Sequence, residues 1–368
     1  GRVGLLLYLV AVGLVVVGAD AGPGGVWSSP GAQPARPVGA AWVAGLGAVT
    51  AIAVFNSLAV DIGEPSGSFW LIHFGTLAAA LAVALGADRS RGRAGSARSA
   101  SEEHELIDRR THLALLVAVV LIAAGLRLYD LDALPEGVWF DEATHGNDAR
   151  RILDGDGYRP LWIAESYLAP AHHSYLIAAA SWLGFGAVMS IRIVSVVLGL
   201  LAVAGAHLVG RELWGRVGAV AAVTLVGLGR WPVTVSRIGM FNVMTPAALL
   251  LGTGLVLVGV RRDHVTTKLA GGGVLGLGLA FHSSMVLGLV GVALVLLALS
   301  GSLSRALQVL WIPVVGVVLV AAPIGAVAIR EPDLYTARQD QVSLFNEGSD
   351  DTVGAPWRNT RKVVGAFH

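Results

Sequence analysis

The chain has 368 residues, of which 55% are hydrophobic and 14% are charged, and its mean hydropathy is +0.69. Soluble domains carry about 25% charged residues, so this composition excludes a soluble globular protein and indicates one that lies in the lipid bilayer. The net charge of +1 provides no basic field for nucleic acid, which we do not expect as a partner. The absence of cysteine excludes disulfides, zinc–thiolate sites and thiol catalysis.

Ten apolar runs predict helices that cross the membrane, because a helix needs about 20 apolar residues to span the hydrocarbon core. A segment in lipid must pair its own backbone groups, so we expect helices and not open strands. The alternation typical of a membrane barrel is absent from the sequence. The predicted fold class is therefore an all-α polytopic membrane protein. The runs are 3–18, 39–60, 68–86, 112–128, 192–209, 217–235, 243–260, 268–282, 284–300 and 307–328.

Two polar stretches divide these runs. Residues 87–111 carry six arginines and predict a flexible cytoplasmic linker between an N-terminal group of about three spans (1–86) and seven later spans (112–329). Residues 129–171 carry nine carboxylates and only three arginines. Because loops rich in Lys and Arg stay in the cytoplasm, the acidic stretch is expected outside.

A further apolar segment, 172–186, could cross the membrane or lie along its outer surface. If it crossed, the basic residues at 211–216 and 261–268 would face outward, against the rule for Lys and Arg. We therefore predict one outer loop, 129–190, that contains an interfacial helix. Residues 330–368 then emerge outside, and we expect them to be the start of a longer extracytoplasmic segment.

The outer loop contains an acidic pair, Asp141 and Glu142, at the start of a predicted helix that runs to Leu153. Helical spacing places Asp141, His145 and Asp148 on one face, with Glu142 roughly 100° away. A carboxylate beside the membrane surface could act as a general base toward a hydroxyl. The simpler alternative is a helix cap with solvated acids, and the residues alone favour it.

Arginines near the same membrane face are candidates for binding the phosphate of a lipid carrier. Arg230 and Arg237 lie two turns apart on one face of a predicted span, and Arg192 opens another span. A guanidinium can bind phosphate through two parallel hydrogen bonds. The alternative is that these side chains snorkel to the interface. His282 emerges at the same face and is a weaker candidate for the same phosphate.

Two acidic groups are weak candidates for a divalent metal. Asp154 and Asp156 form a D-x-D spacing whose oxygens could share a cation, although Asp-Gly-Asp-Gly is better explained as a turn. His145 and Asp148, with Asp141, offer one nitrogen and two carboxylates. A divalent metal is thus an open alternative, and no cofactor is assigned.

Several motifs together resemble one enzyme family over about 112–368. They are LRLYDLD at 126–132, P-x-G-x-W-x-D-E-A-x-x-G-x-x-A-R-x-I-L at 135–153, SIRIVSVVLGL at 190–200, HLVGRELWG at 207–215, SRIG at 236–239 and EPDLYTARQDQVSLFN at 331–346. They resemble bacterial relatives of protein O-mannosyltransferases and aminoarabinose transferases, which are membrane glycosyltransferases of the GT-C superfamily.

The resemblance implies a seven-helix GT-C catalytic module with juxtamembrane helices in its first outer loop. Such enzymes transfer a sugar, with inversion, from a polyprenyl-phosphate carrier to a protein, lipid or glycan acceptor at the outer face of the cytoplasmic membrane. By position, Asp141 would be the general base and Glu142 would orient the acceptor or Asp141. Arg192 and Arg237 match family positions near the donor.

Two other functions fit a polytopic membrane protein. A transporter or lipid flippase would carry ionisable or broken segments at mid-membrane in paired halves, whereas here the ionisable residues cluster toward one membrane face. In a non-catalytic membrane scaffold of the same fold, Asp141 would have no catalytic role.

Overall fold

The computed structural model describes residues 38–91, 106–155, 157–165, 168–281 and 284–342. Within these ranges the protein is helical apart from one short antiparallel pair, β1 (Trp162–Ile163) and β2 (Ala169–Pro170). The predicted run at 3–18 lies outside the described residues, as do His282, Asp156 and the chain after 342.

Twelve α-helices form the described part of the fold. In chain order they are α1 (Ala40–Leu58), α2 (Gly67–Arg91), α3 (Arg109–Leu128), α4 (Phe140–Leu153), α5 (His172–Trp182), α6 (Ala187–Leu228), α7 (Arg230–Arg237), α8 (Met244–Arg261), α9 (Val265–Leu279), α10 (Met285–Ser300), α11 (Leu303–Arg330) and α12 (Pro332–Val342). A 3₁₀ turn, Phe241–Val243, precedes α8.

Six of the described helices are long and apolar enough to cross a membrane: α1, α2, α3, α6, α8 with its 3₁₀ turn, and α11. Two shorter apolar helices, α9 and α10, lie between α8 and α11. The prediction of an all-α integral membrane protein is confirmed. Helix α5 has 11 residues and a length of about 16 Å, so it is too short to cross a hydrocarbon core of about 30 Å.

Helix α6 combines two predicted spans, 192–209 and 217–235, around a sharp turn. Trp214 and Gly215 leave helical geometry, and Gly215 has a φ of 71° that favours glycine. The two arms then pack antiparallel, since a Cβ at Gly210 would lie 2.5 Å from the carbonyl oxygen of Gly218.

The second arm ends at Leu228, earlier than the sequence predicted, and α7 begins after Gly229. Pro232 explains the break. It has no N–H to donate to the Leu228 carbonyl, and a helix tolerates proline best in its first turn, where it stands in α7.

The basic ends of the helices meet at one end of the bundle. The Asp88 carboxylate at the end of α2 accepts hydrogen bonds from the backbone N–H groups of Val265 and Thr266 at 2.7 and 2.9 Å, which caps α9. Arg91 forms an ion pair with Asp263 in the α8–α9 turn. These contacts join the N-terminal helix pair to the later bundle.

Two more contacts bring the turn inside α6 to the same end. Arg261 and Glu212 form an ion pair at 2.6 Å, and Arg216 donates to the Ile107 carbonyl at 3.0 Å, just before α3. At the opposite end of the bundle, Arg330 donates to the carbonyl of Val60, after α1. The described ends of the linker and the basic loops at 211–216 and 261–268 therefore lie together, away from the acidic loop.

Helices α9 and α11 approach each other closely through glycines. A Cβ at Gly272 would lie 2.0 Å from the carbonyl oxygen of Pro313, and one at Gly276 would lie 2.7 Å from that of Val317. Small residues at such crossings let two backbones make van der Waals contact in the membrane.

Gly272→Ala should lower the stability of the protein, because the new methyl group meets backbone that cannot rotate away. We expect a loss of about 1–3 kcal/mol. Gly273→Ala is the matched control, since its Cβ would meet only Val320 at 3.4 Å. Apparent melting temperatures of the two purified variants test this, and equal values would contradict the packing described.

Cysteine labelling can establish which end of the bundle faces out, because the native chain has no cysteine. Lys and Arg placement predicts that Glu136→Cys, in the acidic loop, reacts with a membrane-impermeant maleimide on intact cells. Ser304→Cys, in the first turn of α11, should react only after lysis. The opposite pattern would reverse the orientation.

Candidate functional site

One buried arginine fixes the segment that leads to the acidic pair. The side chain of Arg192, in α6, is 1% exposed, and its Nε donates to Glu142 Oε1 at 3.2 Å. Its two terminal nitrogens donate to four backbone carbonyls at 2.5–3.2 Å, those of Leu131, Asp132, Pro135 and Gly137.

These bonds use all five N–H donors of the Arg192 guanidinium. None is left for a phosphate, so the expected role of Arg192 in donor binding does not fit the structure. Arg192 is a brace for the backbone of residues 131–137.

Glu142 completes this brace from α4. Its carboxylate accepts hydrogen bonds from the backbone N–H of Trp139 at 2.8 Å and of Gly239 at 2.9 Å, in addition to the Arg192 bond. The side chain is 2% exposed. Glu142 thus ties α4 to α6 and to the segment after α7, and it is not accessible to an acceptor.

Gly239 is required at this junction. A Cβ there would lie 2.1 Å from Cγ2 of Ile191 and 3.2 Å from the Glu142 carboxylate. Only glycine lets the backbone N–H reach Glu142.

Two further arginines hold the end of α3. Arg237 donates to the carbonyls of Leu126, Arg127 and Leu134 at 2.7, 3.2 and 3.0 Å, and its side chain is partly exposed. Arg127 is buried and donates to the carbonyls of Ala123, Gly227 and Val226. Arg237 therefore reaches the segment before Asp141, where it binds backbone with part of its five donors.

Arg230 differs from the other arginines. It is the first residue of α7 and is exposed, next to Trp231, which is 76% exposed. The sequence placed it inside a span, but the break at Gly229 puts it at the start of a separate helix.

Asp141 differs from Glu142 in its burial and in its hydrogen bonds. It lies in the first turn of α4 and is half-buried, and no described residue donates a hydrogen bond to it. Of the other described carboxylates of 130–165, Glu142 and Asp148 are buried, and five are exposed: Asp130, Asp132, Glu136, Asp154 and Glu165. Asp141 alone among these acids is positioned by its helix and still reachable from solvent.

The buried side of α4 differs from the predicted acidic face. It consists of Glu142, His145, Asp148, Ala149 and Ile152, and Asp141 lies at its margin. Helical spacing had predicted, wrongly, that Glu142 points away from this side of α4. The spacing of Glu142, His145, Ala149 and Ile152, which is three, four and three residues, was the signal that could have identified it.

Buried histidines line the contact between α4 and α5. The rings of His145 and His173 lie 4.6 Å apart between centroids and nearly perpendicular, and Phe241 lies 5.3 Å from His145. Burial lowers the pKa of His145 to about 4, and burial lowers the pKa of His173 well below its usual value. Both imidazoles are therefore neutral at neutral pH.

The candidate metal ligands do not come together as a site. Across the part of the chain that the structure describes, no group of three or more His, Asp or Glu residues is arranged to hold an ion. Asp154 is exposed and pairs with Arg150 at 3.7 Å, whereas Asp156 lies outside the described residues. His145 lies in the buried α4–α5 contact, and Asp148 is buried on the same side of α4.

No protein-family model matches this sequence, and neither the curated proteins nor the solved structures contain a match. Function is therefore inferred from the residues and their geometry.

Glu142→Gln should destabilise the protein strongly, because it leaves the buried charge of Arg192 without a carboxylate. Breaking a buried ion pair from one side costs about 3–5 kcal/mol. Glu136→Gln, an exposed acid in the same loop, is the control. If thermal unfolding of the purified Glu142→Gln variant matched that of the control, the brace would not be important for stability.

Proposed function

We propose that the protein is a membrane glycosyltransferase that moves a sugar from a polyprenyl-phosphate carrier to an acceptor hydroxyl, with Asp141 as the general base. The observation that supports this most directly is the contrast within the acidic pair. Glu142 is buried in the brace, whereas Asp141, on the same fixed helix, is half-exposed and has no hydrogen-bond donor among the described residues. The motifs that resemble the GT-C family include both residues.

The proposed reaction is a single displacement. The acceptor oxygen attacks the anomeric carbon and transfers its proton to the Asp141 carboxylate. The bond from that carbon to the phosphate oxygen breaks, and polyprenyl phosphate leaves with the electron pair. Attack from the face opposite the leaving group inverts the configuration. A positioned base of this kind contributes about 10²–10⁴-fold in rate.

The brace gives Asp141 the rigidity that this role needs. A base must hold the attacking hydroxyl about 3–3.5 Å from the reacting carbon, and small displacements from that position lower the rate. The start of α4 is fixed by the Glu142 carboxylate. Arg192 and Arg237 donate to five carbonyls of the segment before it and to two more at the end of α3. The first turn of a helix also favours a carboxylate through its dipole.

We assign the donor phosphate to Arg237 and Arg230. Arg237 retains donors beyond its three carbonyl bonds, and Arg230 is exposed at the other end of the same short helix. Arg192 is not assigned to the phosphate, because all five N–H donors of its guanidinium bind groups of the protein itself. The role of His282 stays a prediction, since it lies outside the described residues.

We infer that the reaction occurs at the outer face of the cytoplasmic membrane. The support is electrostatic: the basic ends of the helices meet at one end of the bundle, and the acidic loop with Asp141 lies at the other. The acceptor is a protein, lipid or glycan hydroxyl that reaches Asp141 from outside.

Asp141→Asn should abolish transfer and leave folding intact, because an amide of the same size cannot accept the proton. We expect turnover to fall about 10²–10⁴-fold while donor binding is retained. Asp132→Asn, an exposed acid in the same loop, is the matched control and should keep wild-type activity. The measurement is transfer from radiolabelled polyprenyl-phosphate sugars by the purified protein in liposomes.

Near wild-type turnover in Asp141→Asn would show that another group is the base. If the wild-type protein bound no polyprenyl-phosphate sugar and transferred none, the scaffold function would be favoured over catalysis.

A further inference from the structure

A cleft of about 480 Å³ lies at the end of the bundle that carries the acidic loop, and it shares no residue with the Asp141 site. Three separate parts of the chain form it: the α1–α2 connection at 59–63, the β1 region at Trp162 and Ala164, and the α11–α12 junction at 330–334. Its volume falls in the range of about 300–1,000 Å³ that is typical of small-molecule sites.

The charges that line this cleft favour a neutral ligand. Asp61 and Glu331 contribute two carboxylates, against a single guanidinium from Arg330. This excess of negative charge opposes phosphate and other anions, and the guanidinium opposes a metal cation. The cleft therefore offers both hydrogen-bond donors and acceptors, with little net attraction for ions.

The polar groups of the cleft are held in place by the backbone. Asp61 Oδ1 accepts from the N–H groups of Gly63 and Glu64 at 3.1 and 3.3 Å, which fixes the carboxylate and leaves its second oxygen available. Arg330 donates to the Val60 carbonyl through one nitrogen. A ligand would meet these groups already oriented.

Trp162 borders the cleft, and its buried indole N–H has no acceptor among the described residues. The residue is 6% exposed. Its ring packs against Tyr335 at 5.9 Å between centroids. A buried donor without an acceptor is costly, so a ligand oxygen that displaced the groups covering this N–H would gain a hydrogen bond.

We propose that this cleft binds a neutral saccharide. A sugar presents hydroxyl groups that both donate and accept, which matches the two carboxylates and the guanidinium of the lining. It also presents C–H groups that pack against the apolar part of the lining, which includes Val60, Ile62 and Leu334. This inference goes beyond the proposed transfer reaction and does not depend on it.

The test is saturation-transfer NMR of the purified protein with maltose, methyl α-mannoside and methyl β-galactoside as probes. The detergent must be an amine oxide, because maltoside detergents carry the probe itself as a headgroup. We expect saturable binding of at least one probe. Glu331→Gln and Trp162→Phe should each weaken it by about tenfold, since the first replaces an acceptor oxygen with an amide donor and the second removes the indole N–H.

Asp333→Asn and Trp182→Phe are the matched controls. Asp333 is an exposed acid at the start of α12, and Trp182 is an exposed tryptophan at the end of α5, and neither lines the cleft. Both should bind the probe as the wild type does. The proposal is wrong if no probe saturates, if the controls weaken binding as much as the cleft variants, or if inorganic phosphate displaces the sugar. Loss of transfer in Asp141→Asn would leave this binding unchanged.

Discussion

The buried ion pair between Glu142 and Arg192 is the interaction on which the acidic end of the bundle depends. Removing two charges from water is costly, and the pair is stable only if all of its hydrogen-bonding groups are satisfied. Here the carboxylate also accepts two backbone N–H groups, and the guanidinium also donates to four carbonyls. The backbone of residues 131–137 is thereby fixed to α6.

Two acids adjacent in sequence acquire different properties from this arrangement. One helical step, roughly 100°, turns Glu142 into the protein and leaves Asp141 at the margin of the buried face. The buried carboxylate positions the helix, and the half-exposed one is free to meet a substrate. A general base needs both conditions, a rigid support and an open approach, and the proposed glycosyltransferase function follows from their combination.

The helices were predictable because long apolar runs have few alternatives in lipid, and each predicted run that begins within the described residues coincides with helix. The early end of α6 at Leu228 was harder to predict, since the apolar run continues to 235 and the helix breaks at Gly229, three residues before Pro232. The role of Arg192 could not be predicted. Its partners are mostly backbone carbonyls more than fifty residues away, and every residue type carries the same carbonyl.

The most direct measurement is a cryo-EM structure of the protein in nanodiscs with a polyprenyl-phosphonate analogue of the sugar donor. The analogue cannot react, so the bound geometry is that before transfer. The account predicts that the anomeric carbon faces the Asp141 carboxylate with room for one hydroxyl between them, and that Arg237 or Arg230 contacts the phosphonate while Arg192 keeps its carbonyls. A sugar bound away from Asp141, or a phosphonate bound by Arg192, would contradict it.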